Sequence, residues 1–444
     1  MTALYELAVV GIGRVGLPLA LLFASRGLRV LGIDRDLGII EGARAGKMPF
    51  METGCQELLA SGLEFFTTDS VADAADAAAV IITVGTPFVE HFEMNLGHLN
   101  AVLKVLIPRL REGQLVILRS TVVVGTTEFV QRRIEVERGW QVGREFFLAY
   151  APERILEGRA LEEMSRLPQP IGAMDDGSWE RADRLFKQLT HETFRVTFRG
   201  AELVKLFCNT SRYVYFALVN YFFMVARQFD EDIHELLDVT NRDYPRPILY
   251  SPGFSAGPCL RKDFAMISEL FPQTDLFTAA WRINESMPKV IVDELHERAD
   301  LRRSRVAVLG FTFKADSDDI RDSLIPKLLR YLLREVPLSV RVAEPNLPLG
   351  RGLDVGDEQF ENLSVEAALR DADVVVIANM HSVFRRDWPE LVVGLRPGVL
   401  IADVWNMTGR KRMFYRHEPD REIEGAAGSE PNCEPNGHQD REDA

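Results

Sequence analysis

Residues 9–20, VVGIGRVGLPLA, place glycines at 11, 13 and 16 directly after an apolar run and at the head of a helical one. In this G-x-G-x-x-G spacing Gly11 permits a tight turn, Gly13 lets the backbone approach a pyrophosphate, and Gly16 lets helix and strand pack closely. Ile12, Arg14 and Val15 complete the loop. A helix that opens there turns its free N–H groups toward the phosphates. Asp34 closes the next apolar run, LRVLGID, eighteen residues past Gly16. An acid at that place accepts hydrogen bonds from the adenosine ribose hydroxyls. Its carboxylate disfavours a 2′-phosphate, which points to NAD over NADP, although Arg35 stands beside it.

Buried-strand patterns follow at intervals long enough for crossovers: LAVVGIG (7–13), LRVLGID (28–34), AAVIITVG (78–85), QLVILRST (114–121) and FFLAYAP (146–152). That alternation predicts a doubly wound parallel sheet. Ligands of such sheets lie off the carboxyl ends of the strands. Val84, Thr86 and Pro87 of TVGTP, and Ser120 and Thr121 of RST, therefore border the expected cofactor.

From about 201 to 229 the chain has no Gly or Pro and is apolar nearly all round. A helix of that kind is either the spine of a multi-domain chain or a dimer interface. A second alternation runs through SRVAVLGFTFK (304–314), SVRVAEP (339–345), DADVVVIAN (371–379) and GVLIADVWN (398–406). The fold class is thus α/β: two Rossmann-like doubly wound domains joined by a long central helix and a helical middle domain.

The net charge of −14 is uneven, because residues 417–444 hold nine acids against two arginines. Half of the charge sits in a segment rich in Gly, Pro and acids, which reads as a disordered tail. No basic face suggests nucleic acid, and no apolar run reaches the ~18 residues of a membrane helix. Four cysteines (55, 208, 259 and 433) without metal-ligand spacing argue against zinc and disulfides, so no metal is expected. The N-terminus lacks a basic region and a cleavage site, and the cytoplasm is the expected compartment.

A further set of residues suits one chemistry. Glu153 and Glu157 follow a buried strand; Lys205 and Asn209 share a helix face at i,i+4, with Arg212 near one turn on; SPGFSAGPCLRKDF supplies Cys259, Lys262 and Asp263. A thiolate can trap an aldehyde, and the thiohemiacetal can be oxidised to a thioester that water hydrolyses. Such a route needs a cysteine of lowered pKa, a cation or amide for oxyanions, and carboxylates to move protons. Singly, each of these residues has an ordinary structural explanation, such as a buried small thiol or a solvated helix pair.

The segments GIGRVGLPLA, VGTP, STVVVGTT, APERILEGRALEE, AELVKLFCNTSR, PGFSAGPCLRKD and LGFTFKADSDDIRDS resemble the UDP-glucose/GDP-mannose dehydrogenase family of nucleotide-sugar 6-dehydrogenases. The resemblance implies an NAD-binding Rossmann domain at 1–200 and a central helical dimerisation domain at 201–300. It further implies a nucleotide-sugar-binding α/β domain at 301–416, ahead of the tail at 417–444. It implies that Cys259 is the nucleophile, that Lys205 and Asn209 hold the sugar and stabilise oxyanions, and that Asp263 and Thr121 organise water and protons. Glu153 would assist proton transfer and hydrolysis, while Glu157, Lys262 and Arg321 would lie against NAD. Lys314 would reach the substrate, and Arg154, Ile155, Gly253, Phe254 and Ser255 would line it, the glycines giving the backbone room for it.

The same resemblance implies a homodimer or higher homo-oligomer built on the long helix. Arg154 after Glu153, the stretch before Cys259 and Arg212 lean toward the UDP-N-acetylhexosamine branch rather than UDP-glucose or GDP-mannose. Pro258, where many relatives have glycine, and Tyr221, where they have an acid, depart from the pattern. A non-catalytic nucleotide-sugar-binding relative is the alternative of a different class.

Overall fold

The computed structural model describes residues 3–87, 95–244, 246, 249–258, 260, 262–263, 266–267 and 275–419. Two compact units divide the chain: residues 1–210 with 262–272, and residues 211–261 with 273–444.

The first unit is built on a sheet of eight strands. These are β1 (Tyr5–Val10), β2 (Val30–Ile33), β3 (Phe65–Thr68), β4 (Ala77–Ile82), β5 (Gln114–Leu118), β6 (Phe146–Tyr150), β7 (Gln169–Gly172) and β8 (Thr193–Val196). Their order is β3-β2-β1-β4-β5-β6-β7-β8. Both faces are covered. Leu7 and Val9 of β1 join one apolar core, Ala8 and Val10 the other, as the two-residue repeat of a strand requires.

All neighbouring strands are parallel except β6 and β7, so the sheet is mixed rather than wholly parallel. Residues 151–159 form an irregular loop ahead of the short helix Ala160–Arg166, and β7 then runs antiparallel to β6, with Tyr150 paired to Gly172.

The second unit holds β9 (Arg305–Leu309), β10 (Ser339–Ala343), a hairpin of β11 (Gly352–Val355) and β12 (Glu358–Glu361), β13 (Val374–Ile377), β14 (Leu400–Asp403) and β15 (Phe414–Arg416). Its main sheet has the order β10-β9-β13-β14-β15, parallel except for the last strand. Val306 and Val308 face one core, Ala307 and Leu309 the other.

A single helix covers Phe198–Arg227, and the division between the units falls within it, after Thr210. The acidic tail was expected from residue 417. His417 is buried, however, and its backbone pairs with Gly398 and Val399. Residues 420–444, the body of that tail, lie outside the described residues.

Candidate active site

In the first unit the chain leaves β1 through Gly11, whose φ of +97° disfavours any side chain and whose N–H donates to the Ile33 carbonyl at 2.7 Å. A Cβ on Gly16 would lie 2.0 Å from the Gly11 oxygen and 2.6 Å from Thr83 Oγ1, whereas one on Gly13 would meet nothing within 4 Å. Two of the glycines are thus demanded by protein packing, and the space beside the middle one is open. The following helix, Gly16–Ser25, has no side-chain cap. An open cradle at an uncapped helix N-terminus fits the pyrophosphate of a dinucleotide. Asp34 stands half-buried past the end of β2, and one of its oxygens accepts the Asp36 N–H at 3.0 Å. Arg35 is exposed.

Around this cradle the ends of β4 and β5 are tied together. Ser120 Oγ donates to the Val84 carbonyl and Thr86 Oγ1 to the Thr121 carbonyl, both at 2.7 Å. Lys262 Nζ donates to Thr86 Oγ1 at 3.1 Å, and the Tyr150 hydroxyl to the Ser120 carbonyl at 3.1 Å. Arg14, in the glycine loop, pairs with Glu157 at 2.6 Å and lies over the Phe50 ring. Glu52 accepts the N–H groups of Gly158 and Ala160 at 2.9 and 2.8 Å, fixing the loop that carries Glu157.

Glu153, Lys205, Asn209 and Asp263 come together in the same unit. The i,i+4 spacing puts Lys205 and Asn209 on one helix face; Lys205, itself buried, lies 3.7 Å from Glu153, and Asn209 Nδ2 donates to Asp263 Oδ2. The Ile155 N–H donates to Glu153 Oε1, which fixes the carboxylate within its own loop. Burial pushes the Glu153 carboxyl above its ordinary value, against the opposing pull of the Lys205 ammonium and the Arg119 guanidinium. Burial likewise raises Asp263, a residue with no exposed surface, despite Lys262, Lys205 and the Asn209 amide. Asp263 Oδ1 is buried without a hydrogen-bond partner. Two proton-accepting carboxylates, an ammonium and an amide therefore converge. Arg154 donates to the Pro168 carbonyl.

Cys259 lies outside the described residues. Among the described cysteines, burial pushes the Cys55 thiol up to about 12, with Glu52 and Glu57 adding to the effect, so Cys55 is no nucleophile at neutral pH.

Within the second unit, Asn220 grips the loop before residue 259. Its side chain accepts the Gly253 N–H at 2.8 Å and donates to the Gly253 carbonyl at 3.1 Å, and Asn284 braces it at 2.9 Å. A Cβ on Gly253 would lie 2.4 Å from the Trp405 indole, and one on Gly257, at φ +100°, 2.5 Å from the Phe313 ring. The glycines read as room for a substrate thus make room for aromatic side chains of the protein. Phe254 and Ser255 are buried, and Ser255 Oγ has no hydrogen-bond partner. The Arg212 guanidinium lies over the Phe216 ring at 5.9 Å.

Beyond Gly310, also at positive φ, Glu344 accepts the N–H groups of Phe311 and Thr312 at 2.7 and 3.0 Å. That holds the turn leading to Lys314, which is half-buried and whose carbonyl accepts Thr312 Oγ1 at 2.9 Å. Arg321 forks onto the buried Asp319 carboxylate.

Sequence reasoning missed Arg119, Gln169, Glu52 and Asn220. Each had a signal, a polar residue inside an otherwise apolar or tightly turned stretch, but nothing in sequence order says which backbone it holds.

Comparison with known proteins places the chain in a family. The UDP-glucose/GDP-mannose dehydrogenase family matches in three pieces: its NAD binding domain over residues 5–190, its central domain over 199–287 and its UDP binding domain over 307–410. The UDP-N-acetyl-D-mannosamine dehydrogenase of Pyrococcus horikoshii is 31% identical over 89% of this chain and 94% of its own. An NDP-N-acetyl-D-galactosaminuronic acid dehydrogenase of Ralstonia nicotianae is 30% identical over 86% and 92%. A solved structure of the UDP-D-ManNAc dehydrogenase from Pyrococcus horikoshii superposes with a TM-score of 0.79 at 30% identity, covering 90% of this chain and 95% of the other. With a dinucleotide cradle, a second Rossmann-like sheet and these matches along most of its length, the chain belongs to the UDP-glucose/GDP-mannose dehydrogenase family, as an NAD-dependent nucleotide-sugar dehydrogenase.

Proposed function

We propose that the protein oxidises the C6 hydroxymethyl group of a UDP-N-acetylhexosamine to the carboxylate. The observation that carries this reading is the convergence of Glu153 and Asp263, both buried and raised in pKa, with Lys205 and Asn209. Two NAD molecules, bound in turn, would supply the hydride acceptor for the two successive oxidations.

Glu153 takes the proton of the substrate hydroxyl, directly or through water, as the alcohol becomes an aldehyde. The Cys259 thiolate adds to the aldehyde carbon, and Lys205 and Asn209 hold the negative oxygen of the adduct. Oxidation of that thiohemiacetal leaves a thioester. Once its first proton has passed to solvent, Glu153 accepts a proton as a water ordered by Asp263 and Thr121 attacks the thioester; the C–S bond breaks and the thiolate is released. We assign substrate binding to Arg212, Arg154, Ile155, Gly253, Phe254, Ser255 and Lys314. Arg14, Asp34, Thr86, Ser120, Glu157, Lys262 and Arg321 serve the cofactor.

The N-acetylhexosamine is favoured by Arg154 and Arg212 and by the substrates named for the two relatives above. We assign NAD binding to residues 1–200, dimerisation to 201–300 and nucleotide-sugar binding to 301–416, in a cytoplasmic enzyme. Leu218, Tyr221 and Val225 are exposed at helical spacing, 41%, 51% and 38% respectively, with Phe229 exposed in the turn just past the helix, and such an apolar stripe suits a second copy of the chain. The test is a panel of UDP-N-acetylhexosamines, UDP-glucose and GDP-mannose, assayed for NAD reduction. Highest kcat/KM on a UDP-N-acetylhexosamine supports the reading; preference for a plain hexose overturns the sugar, and no turnover on any overturns the activity.

A further inference from the structure

Arg119 directly follows β5 and is only 4% exposed. Its Nη1 donates to the Ala151 carbonyl at 3.1 Å and to Gln169 Oε1 at 3.0 Å. Gln169, also buried, donates from Nε2 to the carbonyls of Pro152 and Pro170, both at 2.9 Å. Arg119 and Gln169 therefore hold the two backbone carbonyls that immediately precede Glu153. The Phe186 ring packs 5.3 Å from the guanidinium carbon. Arg119 Nε is buried with no hydrogen-bond partner, and among the described residues no carboxylate forms a close ion pair with this guanidinium.

A buried, unpaired cation is costly, and a neutral side chain would anchor one carbonyl as well. Keeping the charge needs a beneficiary. Burial pulls the Arg119 guanidinium down to about 10, and Glu153 is the strongest of the neighbours that hold it up. Around Glu153, Lys205 from the long helix and Arg119 from the end of β5 favour the ionised carboxylate. Glu163 from the helix Ala160–Arg166 and Asp263 oppose it. Tyr150 of β6 and Arg154 of the same loop complete the set of titratable neighbours of this pair.

We propose that Arg119 is a positioning residue for Glu153: it pins the 151–152 backbone with Gln169 and supplies a buried positive charge that keeps the Glu153 carboxylate ionised for its role as base. The proposal rests on the use of Glu153 described above. Arg119 stands on the strand end that also carries Ser120 and Thr121.

The test begins with a readout that needs no substrate. In pH-difference infrared spectra the Glu153 carboxyl is identified by its loss in Glu153→Gln. In Arg119→Met it is expected to titrate higher than in the wild type, by about half a pH unit or more. Arg119→Lys, which keeps the charge but not the fork, is expected to retain the wild-type titration and lose kcat. With a substrate from the panel, the acidic limb of the kcat profile moves up by the same amount in Arg119→Met, about a three-fold loss on that limb. If Arg119→Met does not fold, Arg119→Gln, which keeps a donor for Ala151, is read the same way. A neutral variant whose Glu153 titrates as in the wild type overturns the proposal, as does a lysine variant that shifts it as far as the neutral one. Absence of turnover on every sugar overturns the functional reading, and the infrared titration then decides the electrostatic role of Arg119 by itself.

Discussion

Asp263 shows how the site sets stability against chemistry. It has no exposed surface, one oxygen is held by Asn209, and the other has no partner. Because burial raises its folded pKa, the folded protein binds this proton more readily than the unfolded chain does. Its contribution to stability is therefore full below the ordinary Asp value of about 3.9 and is lost as pH rises through the folded value. Asp263→Asn removes a carboxylate that is costly to bury. It should raise the melting temperature at pH 8, by about 2–4 °C for each ~1 kcal/mol relieved, with the gain shrinking as pH falls toward the Asp range. The same variant should slow turnover at least ten-fold, about 1.4 kcal/mol of barrier. Scanning calorimetry across pH 4 to 8 with parallel assays checks both; a lower melting temperature at pH 8 contradicts the electrostatic account.

The strand–glycine–helix element makes a sharper contrast. Gly16→Ala puts a Cβ 2.0 Å from the Gly11 oxygen, so the turn must open, at a cost of ~3 kcal/mol or more. Gly13→Ala meets nothing within 4 Å, so the fold should lose less than ~1 kcal/mol while NAD affinity falls at least ten-fold. Denaturant unfolding and NAD titration separate the two. Equal destabilisation by both, or unchanged NAD binding in Gly13→Ala, contradicts a phosphate cradle at residue 13. This element was legible in advance because its chemistry is local: three glycines and an acid within one βαβ unit. β3, β7 and β8 were not, since β7 contains Pro and Gly and the other two are half-exposed at the sheet's edges, which blurs the apolar run. Nor was the grip of Asn220 on Gly253, because its partner lies 33 residues away. Lys205 and Asn209 could be placed on one face from their spacing; that Asp263 meets Asn209 required the fold.

Taken whole, the chain carries two Rossmann-like sheets and one helix with an apolar stripe left exposed. If a second copy covers that stripe, Leu218→Asp with Tyr221→Lys should lower the mass measured by light scattering to that of one 50.1 kDa chain at micromolar concentration. A wild type that is already monomeric contradicts the interface. The reaction itself gives the decisive count. A route through a Cys259 thiohemiacetal and thioester removes four electrons from each sugar before release. The measurement is NADH formed per UDP-N-acetylhexosamine consumed, in wild type and in Cys259→Ser. Two NADH per sugar in the wild type, with steady-state turnover lost in Cys259→Ser, is the predicted result. One NADH per sugar with release of the aldehyde, or a serine variant that completes the oxidation at the wild-type rate, would contradict it.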